Sequence, residues 1–205
     1  MATIPDKKLE EIKKLYASGL SAKDLAERLE VSMDAVYYFF RKHGLPRRTM
    51  SQTNQLRFNR KPPTFTINNK LSENHEKLKL MGTMLYWSEG SQWAGEGIVD
   101  FANSNQAMIQ IFLMFLRKVC GIDESKLRVY LYCYSNQNPK ELIRHWSKLT
   151  NISINQFTKP YVRHDYKIEK QGKMAYGLIH IRYYDKKLLL LIKEWISEQC
   201  NNYLG

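Results

Sequence analysis

The stretch Ile12–His43, IKKLYASGLSAKDLAERLEVSMDAVYYFFRKH, decides the fold of the N-terminal part of the chain. Leu15, Leu20, Leu25, Ala26, Leu29, Val31, Val36 and Phe39 or Phe40 recur at intervals that gather on the inner faces of short helices. Ser21 followed by Asp24 forms an S-x-x-D cap for a second helix, and Ser32 caps a third. Ala26 is small where these two helices cross. Gly44 stands where a left-handed cap would close the third helix. The connection Glu30-Val31-Ser32 is short, as two helices meeting at a steep angle require.

This pattern resembles the resolvase-type and homeodomain-like helix-turn-helix families. The resemblance implies an all-α domain over residues 1–45 whose third helix enters the DNA major groove by its N-terminal half. Met33, Asp34, Tyr37 and Tyr38 would then face the bases, with Arg41 and Lys42 near the backbone. Asp34 is suited to accept from a cytosine amino group, and Tyr37 to touch a thymine methyl or a phosphate. The bland alternative is a small helical domain in which Tyr37 and Tyr38 only pack. Gly44-Leu45-Pro46-Arg47-Arg48 resembles the basic arm that such modules lay in the neighbouring minor groove.

Charge widens the argument to the whole chain. Lys and Arg number 32 against 20 Asp and Glu, a net charge of +12. Such a surplus fits a polyanionic partner, because neutralising phosphates releases condensed counterions. Arg41–Lys70 holds Arg41, Lys42, Arg47, Arg48, Arg57, Arg60, Lys61 and Lys70 and no acid, with Pro46, Pro62 and Pro63 among polar residues. Residues 46–71 therefore read as a basic extended linker, with Arg57, Arg60 and Lys61 along phosphates.

Several classes are excluded as expectations. No apolar run approaches the ~20 residues of a membrane span, and Leu188–Ile192 is far too short. The start MATIPDKKLEEIKK has no secretory pattern. Cys120, Cys133 and Cys200 form no CxxC pair, and the histidines give no zinc spacing. An intracellular, cytoplasmic protein without a membrane partner is expected, nucleoid-associated in a bacterial or archaeal host. No glycine-rich phosphate loop is present, so ATP-driven activity is not expected.

From Leu71 onward the pattern is α+β. A helix capped by Ser72 runs to about Glu89, and a strand follows near Gly97–Ala102. Next come a helix capped by Asn103 or Ser104 and ending at Gly121, a strand at Leu127–Tyr134 and a helix at about Pro139–Leu149. Phe157–Lys173 is basic and irregular or hairpin-like. A strand at Tyr176–Tyr184 feeds a last helix after Asp185.

Period-two alternation gives each long strand two faces. Arg128, Tyr130, Tyr132 and Tyr134 lie on one face of the first, opposite Leu127, Val129, Leu131 and Cys133. Tyr176, His180, Arg182 and Tyr184 share a face of the second, with Leu178 the exception. A solvated face more often carries Lys, Glu and Thr. Repeated Tyr with Arg and His suits phosphates and base edges in a groove. Arg163, inside the basic segment Lys159–Lys173, extends this surface as a phosphate-contacting arm.

Leu80-Met81-Gly82-Thr83-Met84-Leu85-Tyr86-Trp87-Ser88-Glu89-Gly90-Ser91 reads as an apolar helix ending in an acid and a glycine. An acid is unfavourable at the negative end of a helix dipole, so Glu89 is placed to meet a cation. The segment resembles the LAGLIDADG homing-endonuclease family and its offshoots that act as transcription factors. The motif falls on Gly82 to Gly90, with Glu89 at the metal-binding acid and Ser88 at the small residue before it. Met84 and Trp87 depart from the pattern, standing where it usually has a glycine and an acid.

The resemblance implies that residues 72–205 form an αββαββα saddle with a mainly antiparallel sheet. Because only one motif is present, it also implies a homodimer through the Gly82–Gly90 helix. Two Glu89 carboxylates would then hold Mg2+ between the scissile phosphates of double-stranded DNA and make staggered cuts. Either Lys170 or Lys173 would stand near the attacking water. The family equally contains the alternative, a transcriptional regulator that binds through the same scaffold without cleavage.

Overall fold

The computed structural model describes residues 3–68, 70–91, 97–164 and 174–204. The chain divides into two compact units, Met1–Pro62 and Pro63–Gly205.

The first unit is helical: α1 (Leu9–Ala17), α2 (Ala22–Leu29), α3 (Met33–Lys42) and α4 (Met50–Arg60), preceded by a 3-10 turn at Asp6–Lys8. Ser21 closes a capping box on α2. Its hydroxyl accepts from the Asp24 N–H (3.2 Å), and the Asp24 carboxylate accepts from the Ser21 N–H (2.7 Å). Glu30 ends α2 in the left-handed region (φ 54°), which lets α3 start only three residues on, under a Ser32 cap. Ile12, Leu25, Ala26, Val36, Phe39 and Phe40 are buried together. Each large apolar side chain withdrawn from water there contributes about 1.5–3 kcal/mol.

The stretch expected to be an extended linker is helical over Met50–Arg60 and belongs to this unit. Thr49 and Gln52 form a second capping box, with bonds of 3.2 and 2.9 Å. Between Arg48 and Lys61 there is neither proline nor glycine to break a helix. Leu56 and Arg60 share one face of α4 and lie against Gly19, at φ 99°, whose carbonyl accepts from Arg60 (3.3 Å). One-signed charge therefore misled the expectation; the local capping chemistry decided.

The second unit is α+β. Its elements run α5 (Glu73–Glu89), β1 (Val99–Asn103), α6 (Gln106–Lys118), β2 (Leu127–Tyr134), α7 (Pro139–Thr150), β3 (Tyr161–Arg163), β4 (Leu178–Tyr183) and α8 (Lys186–Leu204). The sheet order is β1-β4-β2-β3. β4 is antiparallel to both β1 and β2, while β3 runs parallel to β2, so the sheet is mixed. Nor is the implied αββαββα order reproduced by the described elements, because α7 stands between β2 and β3. Asn138 and Pro139 start α7, and Leu142 and Trp146 bury its apolar face, so the chain cannot continue from β2 as a hairpin.

Helices cover one sheet face. Val99, Phe101, Leu127, Val129, Leu131, Cys133, Ile179, Ile181 and Tyr183 all point into the core with Tyr86, Phe112, Phe115 and Trp146. A Cβ on Gly82 would fall 2.1 Å from Cγ of Phe115, so the absence of a side chain is what lets α5 lie on α6. Asp185 fixes the start of α8 by accepting from the N–H groups of Lys187 (2.8 Å) and Thr64 (2.8 Å). Burial pushes its carboxyl up, but the N–H donors of Thr64, Lys187 and Leu188 and the Thr64 hydroxyl hold it below the usual range.

Candidate nucleic-acid interface

Two surfaces carry the residues singled out by the sequence. On the first unit, the helical period places Val36, Phe39 and Phe40 inward and leaves Met33, Asp34, Tyr38, Arg41 and Lys42 exposed. Met33 is 41% and Tyr38 59% exposed. Tyr37 is half-buried, and the Arg47 guanidinium stacks on its ring at 4.0 Å. Lys42 and His43 hold Asp6, whose carboxyl their bonds lower.

The segment expected to be a minor-groove arm is instead folded back. Arg48 stacks on Tyr16 (3.8 Å), donates to the carbonyls of Leu20 (3.0 Å) and Tyr16, and its N–H donates to the Tyr16 hydroxyl (2.9 Å). Those carbonyls lie at the end of α1 and in the turn after it, where helix geometry leaves acceptors unsatisfied. Arg48 is therefore a structural clamp. Arg60 is likewise engaged, by Gly19 and by Asp24 at 3.6 Å. Arg57 is exposed on α4, and Lys61 is exposed just past its end.

On the second unit the open sheet face is ordered in rows by the register. Asp100, Arg182 and Arg128 form one row; Ala102, His180 and Tyr130 the next; Leu178, Tyr132 and Tyr161 the third. Asp100, only 5% exposed, was not anticipated. Its carboxylate accepts from Arg182 Nε (2.7 Å) and pairs with His180 Nδ1 (2.9 Å). Arg182 then stacks on the Tyr130 ring at 4.0 Å. Burial opposes the Arg182 charge, but Asp100 more than offsets this and raises its pKa. The Tyr130 and Tyr184 hydroxyls meet at 3.3 Å, which lowers the Tyr130 phenol and raises that of Tyr184.

Tyr132 tilts against both Tyr161 (5.3 Å) and His180 (4.8 Å), and Tyr161, Arg163 and His164 are exposed beside it. Arg128 is turned onto local carbonyls, those of Ser125 (2.8 Å) and Leu127 (2.7 Å). Tyr134 has the expected parity but is buried, 7% exposed. There Gln137 bonds the Tyr134 N–H and the Met174 and Ala175 carbonyls, closing that end of the face. Tyr134, expected on the open face, is thus buried instead.

Glu89 ends α5 and is exposed, with Ser88 exposed beside it and turned back onto the Leu85 carbonyl (3.1 Å). Gly82 faces inward onto Phe115, so the exposed side of α5 is Leu80, Met81, Met84 and Trp87. The two departures from the motif, Met84 and Trp87, are thus its outward apolar residues. With α8, Leu80, Met84 and Trp87 line a groove of about 350 Å3 that also meets Tyr203 and Leu204.

No group of three or more His, Cys, Asp and Glu that would hold a metal occurs among the described residues. Asp100 is already committed to Arg182 and His180, and Glu89 belongs to no such group among the described residues. Lys170 and Lys173 lie outside the described residues. No described helix is long and apolar enough to cross a membrane. Comparison with protein-family models, with curated proteins and with solved structures returned no match.

Proposed function

We propose that this protein is a sequence-specific double-stranded-DNA-binding protein that reads its site with a helix-turn-helix, α2 and α3, and adds contacts through the open sheet face. The observation that carries this reading is the outer face of α3. Met33, Asp34, Tyr38 and Arg41 stand exposed at the start and along one side of a helix whose other side is fully buried. The Ser32 cap and the short left-handed turn at Glu30 fix where α3 starts relative to α2, as base readout requires. On the sheet, Arg182 and Tyr130 offer a stacked donor surface of the kind that meets bases and phosphates. The net charge of +12 supports a polyanionic partner.

A second reading, a homodimeric metal-dependent LAGLIDADG-type endonuclease, is favoured by one observation: the exposed Glu89 at the unfavourable end of α5. In that reading the apolar side of α5 packs on a second copy, and the two Glu89 carboxylates together would hold Mg2+. A transcriptional regulator on the same scaffold would need the packing and not the acid.

One experiment separates these readings. DNA selected from a random pool by the full chain should be bound tightly, and far more tightly than unrelated duplex. With Mg2+ or Mn2+, staggered cuts that Glu89→Gln abolishes while binding persists would establish the nuclease. Tight binding with no nick leaves the regulator. Sedimentation of the complex should show two chains per site; one chain per site sinks the two-carboxylate scheme. Failure to select any duplex overturns DNA binding itself.

A further inference from the structure

The helix α4 is more than a continuation of the first unit. The start of α2, the start of α3 and α4 enclose a groove of about 320 Å3. Lys23, Arg47, Arg48 and Arg57 bring four cations to it, while Met33, Tyr37 and Met50 supply its apolar surface. Two acids of α2 stand near these cations. Glu27 pairs with Lys23 at 3.7 Å on the exposed side. Asp24 is occupied by the Ser21 N–H and by Arg60, the Ser21 bond holding its carboxyl below the usual range.

The groove is assembled by a division of labour along α4 and the segment before it. Leu56 and Arg60, four residues apart, dock on Gly19. Thr53 and Arg57, also four apart but on the neighbouring face, line the groove. In the same way Arg48 is turned inward as a clamp, while Arg47 stacks on Tyr37 and lines the groove beside it. Arg47 and Arg57 therefore each stand close to a cation that anchors the wall, Arg48 and Arg60. Pre-organised cations around a pocket of this size suit a single tetrahedral monoanion.

We propose that this groove takes a backbone phosphodiester of the DNA that α3 reads, with Arg57 and Lys23 as its cationic ligands, making α4 a second DNA-contacting element. The inference rests on the DNA-binding reading above. Met33 belongs both to the outer face of α3 and to the groove, so the phosphate held would flank the bases that α3 meets. A free phosphate or a phosphopeptide offers the same charge. A duplex supplies it at fixed spacing and releases counterions on binding.

The test uses the full chain on its selected duplex and on an unrelated one, with affinity followed by fluorescence anisotropy across a salt series. Arg57→Gln should weaken both duplexes by the same factor, about 3–10-fold near 0.1 M salt. The slope of log affinity against log salt should fall by about one, while Arg57→Lys keeps it. Sequence ranking should not change, because phosphates carry no sequence. Replacing single DNA phosphates by uncharged methylphosphonates should reveal one position that costs the wild type a similar factor and costs Arg57→Gln nothing. That arm tests the site even if another groove variant folds poorly.

Unchanged affinity and slope in Arg57→Gln, with the wild type still binding DNA, overturns the groove and leaves the DNA-binding reading intact. A changed sequence ranking also overturns it, since Arg57 would then be touching a base. Equal protection of the groove by inorganic phosphate and by duplex in hydrogen exchange assigns it to the free anion and overturns the DNA assignment. A wild type that binds no duplex overturns both readings.

Discussion

On α3, the exposed Met33, Tyr38 and Arg41 stand outside the buried core, whereas on the open sheet face Arg182 and His180 are built around one buried acid. Both surfaces are aromatic and basic, and sequence composition cannot tell them apart. Their energetics differ. Side chains on α3 can be removed without touching the packing that forms the helix. Removing Asp100 leaves a guanidinium and an imidazole short of their partner at a site where water is mostly excluded, which is costly. One surface is therefore decoration on a finished fold, and the other is part of the fold.

The largest effect expected from this contrast is that of Asp100→Ala. Losing the acid should cost the second unit about 3 kcal/mol, by analogy with breaking other buried ion pairs. For a unit of this size that is a drop of roughly 10 °C in Tm. All tryptophans, Trp87, Trp93, Trp146 and Trp195, lie in residues 63–205, so tryptophan fluorescence reports this melting alone. Asp100→Asn keeps acceptor capacity and should fall between the two. A Tm unchanged within a degree in Asp100→Ala would show that the network is surface ornament, and the contrast with α3 would collapse.

On α3 the opposite result is expected. Met33→Ala and Tyr38→Ala should alter stability by no more than about 0.5 kcal/mol, as exposed positions do. Each should nevertheless weaken binding to the selected duplex by about tenfold, 1.4 kcal/mol, and change which duplexes are preferred. Variants that bind as before would remove α3 from the interface. Competition between the selected and unrelated duplexes gives the readout.

How much of this was legible in the sequence follows from the range of the interactions. Ser21, Asp24, Ser32 and Gly44 act within one turn, and their roles were readable at once. Strand alternation sorted Leu127–Cys133 into core and open faces, because the period is a property of the strand, and failed only at Tyr134, where the strand end is closed over. Asp100 was not legible. Its partners sit 80 and 82 residues away and meet it only because β4 lies between β1 and β2, an order that no local pattern contains. Arg48 and Arg57 had the same sequence appearance and opposite fates, since Tyr16 and Gly19 decide which cation turns inward. The helix α4 is a different kind of miss. Its Thr49-x-x-Gln52 cap is a local signal for a helix, whereas the run of positive charge around it carries no information on local conformation.

The smallest effect expected concerns the cap that positions α3 through α2. Ser21→Ala should lower the stability of the first unit by about 1 kcal/mol. Acid should act on the same device through Asp24. The Ser21 N–H is the largest influence on that carboxyl and lowers its pKa, with Arg60 and Arg57 adding to it against a partial desolvation that raises it. A folded pKa below the unfolded value of about 3.9 means the stabilisation is fully present above that value and is lost as pH falls through the folded pKa. Hydrogen exchange at the Leu25 amide, which donates to the Ser21 carbonyl at 3.0 Å, reads this unit directly. Protection there should decline below about pH 4 in the wild type. In Asp24→Ala it should start lower and lose the part of its acid dependence that Asp24 supplies. An acid limb identical in both chains would assign it to other carboxylates and leave the capping box with no role in how α3 is held.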